Sequence, residues 1–293
     1  MTEIFKIVIY GLVEGITEWL PISSTGHLIL LREILPLSVA PALGEQFSDE
    51  YFDMFEVVVQ LGAILAVIVT YFNRLFPFLK KNRNKGNTVV SLWIKILVAS
   101  IPAAFVGIVL DKLIEILSGR DIDGWIYNPQ TVVTALIVYG ALFILIELIS
   151  KGKPHAPCSA EDISFTQAVL IGGFQALSIV PGTSRSGSTI LGARLLGIAP
   201  KDAAEFSFFM SIPAMTGGSL IKALSFLSFV KESNIAVPLS AWISLFVAST
   251  VAFAVSMTTI GLLTDFVKRH SFIPFGIYRI VLGVVVSIYF FMR

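Results

Sequence analysis

Long apolar runs separated by short polar segments fill this chain, and two of the runs are cut short in the same way. Residues 4–20 are apolar but hold Gly11, Glu14, Gly15 and Glu18. Pro21 then ends any helix before it reaches the ~20 residues that a bilayer crossing needs. A second short apolar piece, 28–35, follows Gly26-His27 and stops at Pro36, so the two pieces predict a re-entrant hairpin. Residues 165–180, ended by Pro181-Gly182, and 189–196 predict another. Irregular backbone at membrane depth is tolerated only when buried in protein or lining a wet cavity.

After a polar loop at 38–51, full-length spans are predicted at 52–72, 92–110, 131–149, 203–224, 239–262 and 272–292. The loop with Arg74, Lys80, Lys81, Arg83 and Lys85 is basic, the one with Asp111, Glu115, Asp121 and Asp123 is acidic, and Lys151, Lys153, Lys268, Arg269 and His270 mark two further basic loops. The positive-inside rule makes the basic loops cytoplasmic and the acidic one external. The reading is an all-α integral membrane protein: six transmembrane helices and two broken-helix hairpins that enter from opposite sides. An internal similarity agrees, because residues 11–30 lie on 172–191 with small gaps, pairing Pro21 with Pro181, Ser24 with Ser184 and Gly26 with Gly187. One membrane domain is expected, with inverted repeats at about 1–150 and 160–293.

Composition supports the membrane reading: 55% of the 293 residues are hydrophobic and 14% charged, against roughly 25% charged in soluble domains, and mean hydropathy is +0.84. A net charge of +1 leaves no basic footprint for nucleic acid. Cys158 is the only cysteine, which excludes an internal disulfide and offers no metal cluster. Glu3 precedes the first apolar run and Glu14 and Glu18 interrupt it, so a cleavable signal peptide is not expected.

The chemistry concentrates in the hairpins. Glu14 and Glu18 share one helix face, and two close carboxylates in low dielectric require a counter-charge: Arg185, a metal ion or a shared proton. His27, after Ser23-Ser24-Thr25 at the predicted turn, can act as base, acid or nucleophile near neutral pH. Arg185 presents a planar fork suited to phosphate, and Gly182 and Gly187 let backbone N–H groups approach an anion. With Thr183, Ser184, Ser186, Ser188 and Thr189 this makes a phosphate cradle. Gln60 and Glu205 are polar residues close to the hairpins, while Pro213 and Gly217-Gly218 are expected to kink a helix and permit close packing.

At these residues the chain resembles a known family. EGITEWLPISSTGH at 14–27 and PGTSRSG at 181–187 are similar to the two signature motifs of the bacterial undecaprenyl-diphosphate phosphatases of the bacitracin-resistance type, and 55–67 and 205–215 extend the likeness. The resemblance implies hydrolysis of a C55 isoprenyl diphosphate to the monophosphate carrier used in cell-wall synthesis, in the bacterial plasma membrane, with a site opening externally. It implies that Glu14, Glu18, Ser23, Ser24, His27, Ser184, Arg185, Ser186 and Thr189 belong to the active site; read with the chemistry of the two turns, Glu18, Ser24, His27 and Arg185 are expected to be catalytic and Ser23, Thr25, Gly182, Thr183, Ser184, Ser186, Gly187 and Thr189 to bind substrate. It further implies a divalent cation, Mg2+ or Ca2+, for which Glu14 and Glu18 are the expected ligands. The attacking group is left as Ser24 activated by His27, His27 itself, or water, and the oligomeric state is left open, a homodimer included.

A flippase for a phosphorylated isoprenoid is the alternative, since inverted repeats with broken helices are transporter architecture. Carrying an anionic lipid needs cations only, whereas these residues also include a nucleophile and acid–base partners. The acid-phosphatase type of lipid phosphatase is excluded, because it needs a second histidine shortly after its Ser-Arg pair and residues 186–196 contain none.

Overall fold

The computed structural model describes residues 3–76, 86–119, 126, 128–150 and 159–292. Lys80, Lys81, Arg83, Lys85, Asp121, Asp123, Lys151, Lys153 and Cys158 lie outside the described residues, and so do the expectations resting on them. The described chain is helical with no strand: α1 (Glu3–Thr17), α2 (Ser24–Ile34), α3 (Gly44–Val58), α4 (Gln60–Thr70), α5 (Phe72–Leu75), α6 (Gly86–Ser118), α7 (Pro129–Ser150), α8 (Phe165–Gln175), α9 (Arg185–Leu195), α10 (Pro200–Glu232), α11 (Leu239–Val267) and α12 (Ile273–Phe291). Among the described residues five stretches are long and apolar enough to cross a bilayer: Pro41–Thr70, Val89–Ser118, Pro129–Ser150, Pro200–Glu232 and Leu239–Val267, while Phe165–Ile179 and Ile273–Tyr289 are apolar but shorter. The protein is a multi-pass integral membrane protein.

Two boundaries differ from the expectation. Only residues 38–40 of the expected loop at 38–51 are irregular: a 3-10 turn at Pro41–Leu43 leads into a helix from Gly44 to Val58, and the expected span 52–72 is divided at Val59 into α3 and α4. The acidic residues of this stretch hid a helical stripe, since Phe47, Tyr51, Phe52 and Phe55 follow an i, i+4, i+5, i+8 spacing and all are buried. Gly217 and Gly218 do not seat a neighbouring helix: a Cβ on Gly217 would meet nothing within 4 Å, and one on Gly218 only Val57 at 3.8 Å.

Small residues set the close crossings elsewhere, as is usual where lipid supplies no hydrophobic drive between helices. A Cβ on Gly11 would stand 2.6 Å from the Ala248 carbonyl oxygen, bringing α1 onto α11, and one on Gly172 would stand 2.0 Å from the Ala99 oxygen, bringing α8 onto α6. Gly11 and Gly172 are the residues that the internal similarity puts in register. The first hairpin thus packs on a helix of the second half and the second hairpin on a helix of the first. At α7 and α12, Gly140 and Gly276 meet backbone to backbone.

Two ionic groups tie the ends together. Arg74 donates two bonds to Glu161 at 2.8 Å and one to Glu205 at 2.7 Å, fixing the turn Ala160–Asp162 against α5 and α10. Burial raises the Glu161 titration point, but hydrogen bonds and charge from Arg74 outweigh it and hold that carboxyl below its usual range. Arg194 on α9 donates to Glu147 on α7 at 2.7 Å and to the Ile198 carbonyl, with both side chains almost wholly buried. Glu147→Ala leaves Arg194 buried without its counter-charge. A loss of about 3–5 kcal/mol is expected, measurable as a lower Tm in detergent, with Glu147→Ala/Arg194→Met regaining most of it.

Candidate active site

Both hairpin turns end in the same local device. Ser23 caps α2 and its hydroxyl accepts the Gly26 N–H at 3.2 Å; Ser184 caps α9 and accepts the Gly187 N–H at 3.0 Å. Each cap residue has positive φ, 76° at Ser23 and 73° at Ser184, a strained conformation for an L side chain. The structural counterpart of Ser184 is therefore Ser23 and not Ser24, and in that register Ser24 corresponds to Arg185. Each of those two residues opens its helix, and their N-termini border one cavity.

That cavity is about 230 Å³ and is lined by Glu18, Ser23, Ser24, Thr25, Gly182, Ser184 and Arg185 together with Gln60 and Gln175. Glu18 is its centre. One carboxylate oxygen accepts Arg185 Nη2 at 2.9 Å, and the other accepts the Ser24 hydroxyl in a short hydrogen bond. Arg185 Nη1 donates to the Ser207 carbonyl at 2.8 Å, and its Nε is without a partner among the described residues. Removing a hydroxyl's proton requires an adjacent base, and Glu18 stands in that position for Ser24.

The remaining expected residues form a supporting layer. Ser186 bonds the Glu18 carbonyl at 3.2 Å and stands 3.2 Å from the Ser184 hydroxyl. Thr189 bonds the Arg185 carbonyl at 3.0 Å and shares a 2.7 Å contact with the Ser207 hydroxyl. Ser188 returns its hydroxyl to the Ser184 carbonyl, and Thr183 is fully buried behind the turn. Glu205 is not in the group, being held by Arg74.

His27 faces elsewhere. Its Nδ1 lies 2.6 Å from the Ser23 carbonyl oxygen and its Nε2 lies 2.8 Å from the Tyr278 hydroxyl, with the two rings stacked at 7°. A carbonyl only accepts, so in the neutral ring Nδ1 carries the proton and Nε2 accepts from Tyr278. The imidazole borders a separate apolar groove of about 340 Å³ between α2 and α12. In this arrangement it fixes the turn that carries Ser24 and does not touch the Ser24 hydroxyl.

Sequence reasoning passed over Ser207, Gln175, Tyr278 and Arg279. Ser207 carries no signal of its own. Gln175 follows from the internal similarity, since it occupies the place of Glu14 in the second half. Arg279 is a lone charge in an apolar helix, which by itself marks a functional residue.

The family described as "Bacitracin resistance protein BacA" matches this chain over residues 7–285. The chain belongs to the BacA family. A relative called "Undecaprenyl-diphosphatase" from Acetivibrio thermocellus is 45% identical over 291 residues, covering 99% of this chain and 98% of the relative. One of the same name from Enterococcus faecalis is 43% identical over 287 residues, with 97% and 96% covered. "Undecaprenyl-diphosphatase 1" from Clostridium acetobutylicum is 46% identical over 293 residues, with 98% and 97% covered.

The divalent cation expected for this family can be tested against its donor set. Glu14 is fully buried one helical turn from Glu18, and neither of its carboxylate oxygens has a partner among the described residues. Its charged neighbours are Glu18, Glu56 and Arg185, three carboxyl groups in all against one guanidinium. Among the described residues no three His, Cys, Asp or Glu side chains gather as a metal cage. The group therefore suits an ion that takes one or two carboxylates and completes its shell with phosphate oxygens and water, as Mg2+ does.

Proposed function

We propose that this chain is a membrane phosphatase that hydrolyses undecaprenyl diphosphate to undecaprenyl phosphate and inorganic phosphate. The observation that carries the reading is the Ser24–Glu18–Arg185 chain: a hydroxyl on a carboxylate, the carboxylate on a guanidinium, all bordering one polar cavity. Family membership and relatives of that name over nearly the full length support the substrate.

The chemistry follows from the donors present. The diphosphate enters the cavity with its terminal phosphoryl group between the N-termini of α2 and α9, whose N–H groups and helix dipoles favour an anion. Arg185 turns its free Nε and part of its fork toward the phosphoryl oxygens and stabilises charge that grows there. Ser24 Oγ attacks the terminal phosphorus in line while Glu18 takes its proton. The bond from that phosphorus to the bridging oxygen breaks, Glu18 passes the proton to that oxygen, and undecaprenyl phosphate leaves. A water then gives a proton to Glu18 and attacks the phosphoserine, the bond from phosphorus to Ser24 Oγ breaks, and inorganic phosphate departs as the serine regains its proton. Glu14 and Glu18 would hold a divalent cation, Mg2+ or Ca2+, which would neutralise phosphate charge when bound. His27 has a supporting role, orienting the Ser23-Ser24 turn through the Ser23 carbonyl.

The membrane arrangement belongs to the same reading. Six crossings, with α12 as the sixth, and two re-entrant hairpins, α1–α2 and α8–α9, form inverted repeats in the bacterial plasma membrane, with the cavity opening externally. The reciprocal packing of α1 on α11 and α8 on α6, and the matched serine caps, support that symmetry.

Purified protein in detergent micelles, with no closed compartment, is expected to release phosphate from undecaprenyl diphosphate with Mg2+ or Ca2+ and to lose that activity with a chelator. Absence of release under these conditions, with vesicle-borne transport of the lipid retained, would replace hydrolysis by carriage.

A further inference from the structure

Behind the cavity a guanidinium is buried without water access. Arg279 on α12 is wholly inaccessible. Its Nη1 donates to the Pro21 carbonyl at 3.1 Å and to the Thr183 carbonyl at 3.0 Å; its Nη2 donates to the Gly182 carbonyl at 2.8 Å and to the Ala135 carbonyl at 3.4 Å. Tyr139 and Phe143 hold the flat of the group from α7, at 5.6 and 6.0 Å from the guanidinium carbon to the ring centres. Three of the four acceptors belong to the two hairpin turns. Pro21 lies two residues before the cap Ser23, and Thr183 immediately before the cap Ser184.

Burying a cation among neutral carbonyls is costly, and an apolar side chain would anchor α12 to α7 as well. What an apolar residue would not do is bind both turns at once. Those turns carry the two strained serine caps, and strained backbone persists only where its surroundings over-determine it. Arg279 also approaches the first turn of α9 directly, since a Cβ on Gly187 would lie 3.3 Å from its Nη1. We infer that Arg279 is a positioning residue, which holds the Pro21 and Gly182-Thr183 turns at a fixed separation so that Ser24 and Arg185 address one phosphoryl group. The inference rests on the phosphatase reading. It predicts that turnover depends on a residue that reaches the site only through backbone. Lysine keeps the charge but lacks the planar fork that spans both turns.

The test compares wild type, Arg279→Lys, Arg185→Lys and the double variant, as whole protein in micelles, each with its Tm. Arg279→Lys is expected to lower kcat about 10²-fold, the scale of an ångström-sized misplacement, with KM within about threefold. In the Arg185→Lys background the same change is expected to cost less than about threefold, because the pair it aligns is already broken. A purely structural role would lower Tm and act by the same factor in both backgrounds, which would overturn the inference, as would an Arg279→Lys enzyme with kcat within threefold of wild type. If Arg279→Lys does not fold, Phe143→Leu, which loosens the guanidinium's seat, is expected to lower kcat about fivefold; unchanged kcat there overturns the inference. A wild type that releases no phosphate refutes the phosphatase reading instead.

Discussion

Ser24→Ala is expected to abolish turnover of undecaprenyl diphosphate, by about 10⁴-fold or more in kcat, while the protein stays folded. Ser24 is the hydroxyl bonded directly to a carboxylate at the cavity, and it opens α2, where the helix dipole favours an oxyanion. Without it, Glu18 has no proton to take and no phosphoryl acceptor remains on this side of the site. The cost in stability is small by comparison: one buried carboxylate oxygen loses its donor, about 1–3 kcal/mol, and the helix cap survives because it belongs to Ser23. Phosphate release measured beside Tm separates the two effects. Activity within tenfold of wild type in a folded Ser24→Ala protein would contradict the assignment and leave water as the attacker.

Arg185→Ala carries the second large effect, a fall of about 10³–10⁵ in kcat/KM, the range seen when a guanidinium that neutralises phosphoryl charge is lost. Two consequences compound. Phosphate loses a donor fork, and Glu18 loses the bond at 2.9 Å that holds it toward Ser24. Arg185→Lys is expected to regain little, because one ammonium cannot reach Glu18, the Ser207 carbonyl and a phosphate together. Phosphate-release kinetics across a substrate series read the loss; a kcat/KM of Arg185→Lys near that of wild type would show that point charge alone suffices.

Most of the architecture was legible because lipid imposes simple rules. Apolar length predicted the helices α6, α7, α10 and α11, and Pro21 and Pro181-Gly182 marked both hairpin turns. The stretch at 44–58 was misread because its acidic residues obscured the buried aromatic stripe of Phe47, Tyr51 and Phe55. The residues that line the cavity were mostly legible, the bonds among them less so. His27 drew the base role because imidazole titrates near neutrality, yet its two nitrogens are engaged by the Ser23 carbonyl and Tyr278, the latter 251 positions away. Glu18 took its place at Ser24 through a turn whose positive φ no spacing rule reports. Arg279 obeyed the same argument as Arg185, a charge at membrane depth, but its partners are carbonyls, which carry no sequence signal.

Trapping the phosphoryl group on Ser24 tests most directly whether that serine is its acceptor. Protein mixed with terminally radiolabelled undecaprenyl diphosphate, quenched in SDS at near-neutral pH within one turnover and digested without exposure to acid, is expected to carry label on the peptide containing Ser24, with none in Ser24→Ala and retained label in His27→Ala. Label on His27, or turnover in wild type with no covalent label at any quench time, would contradict it.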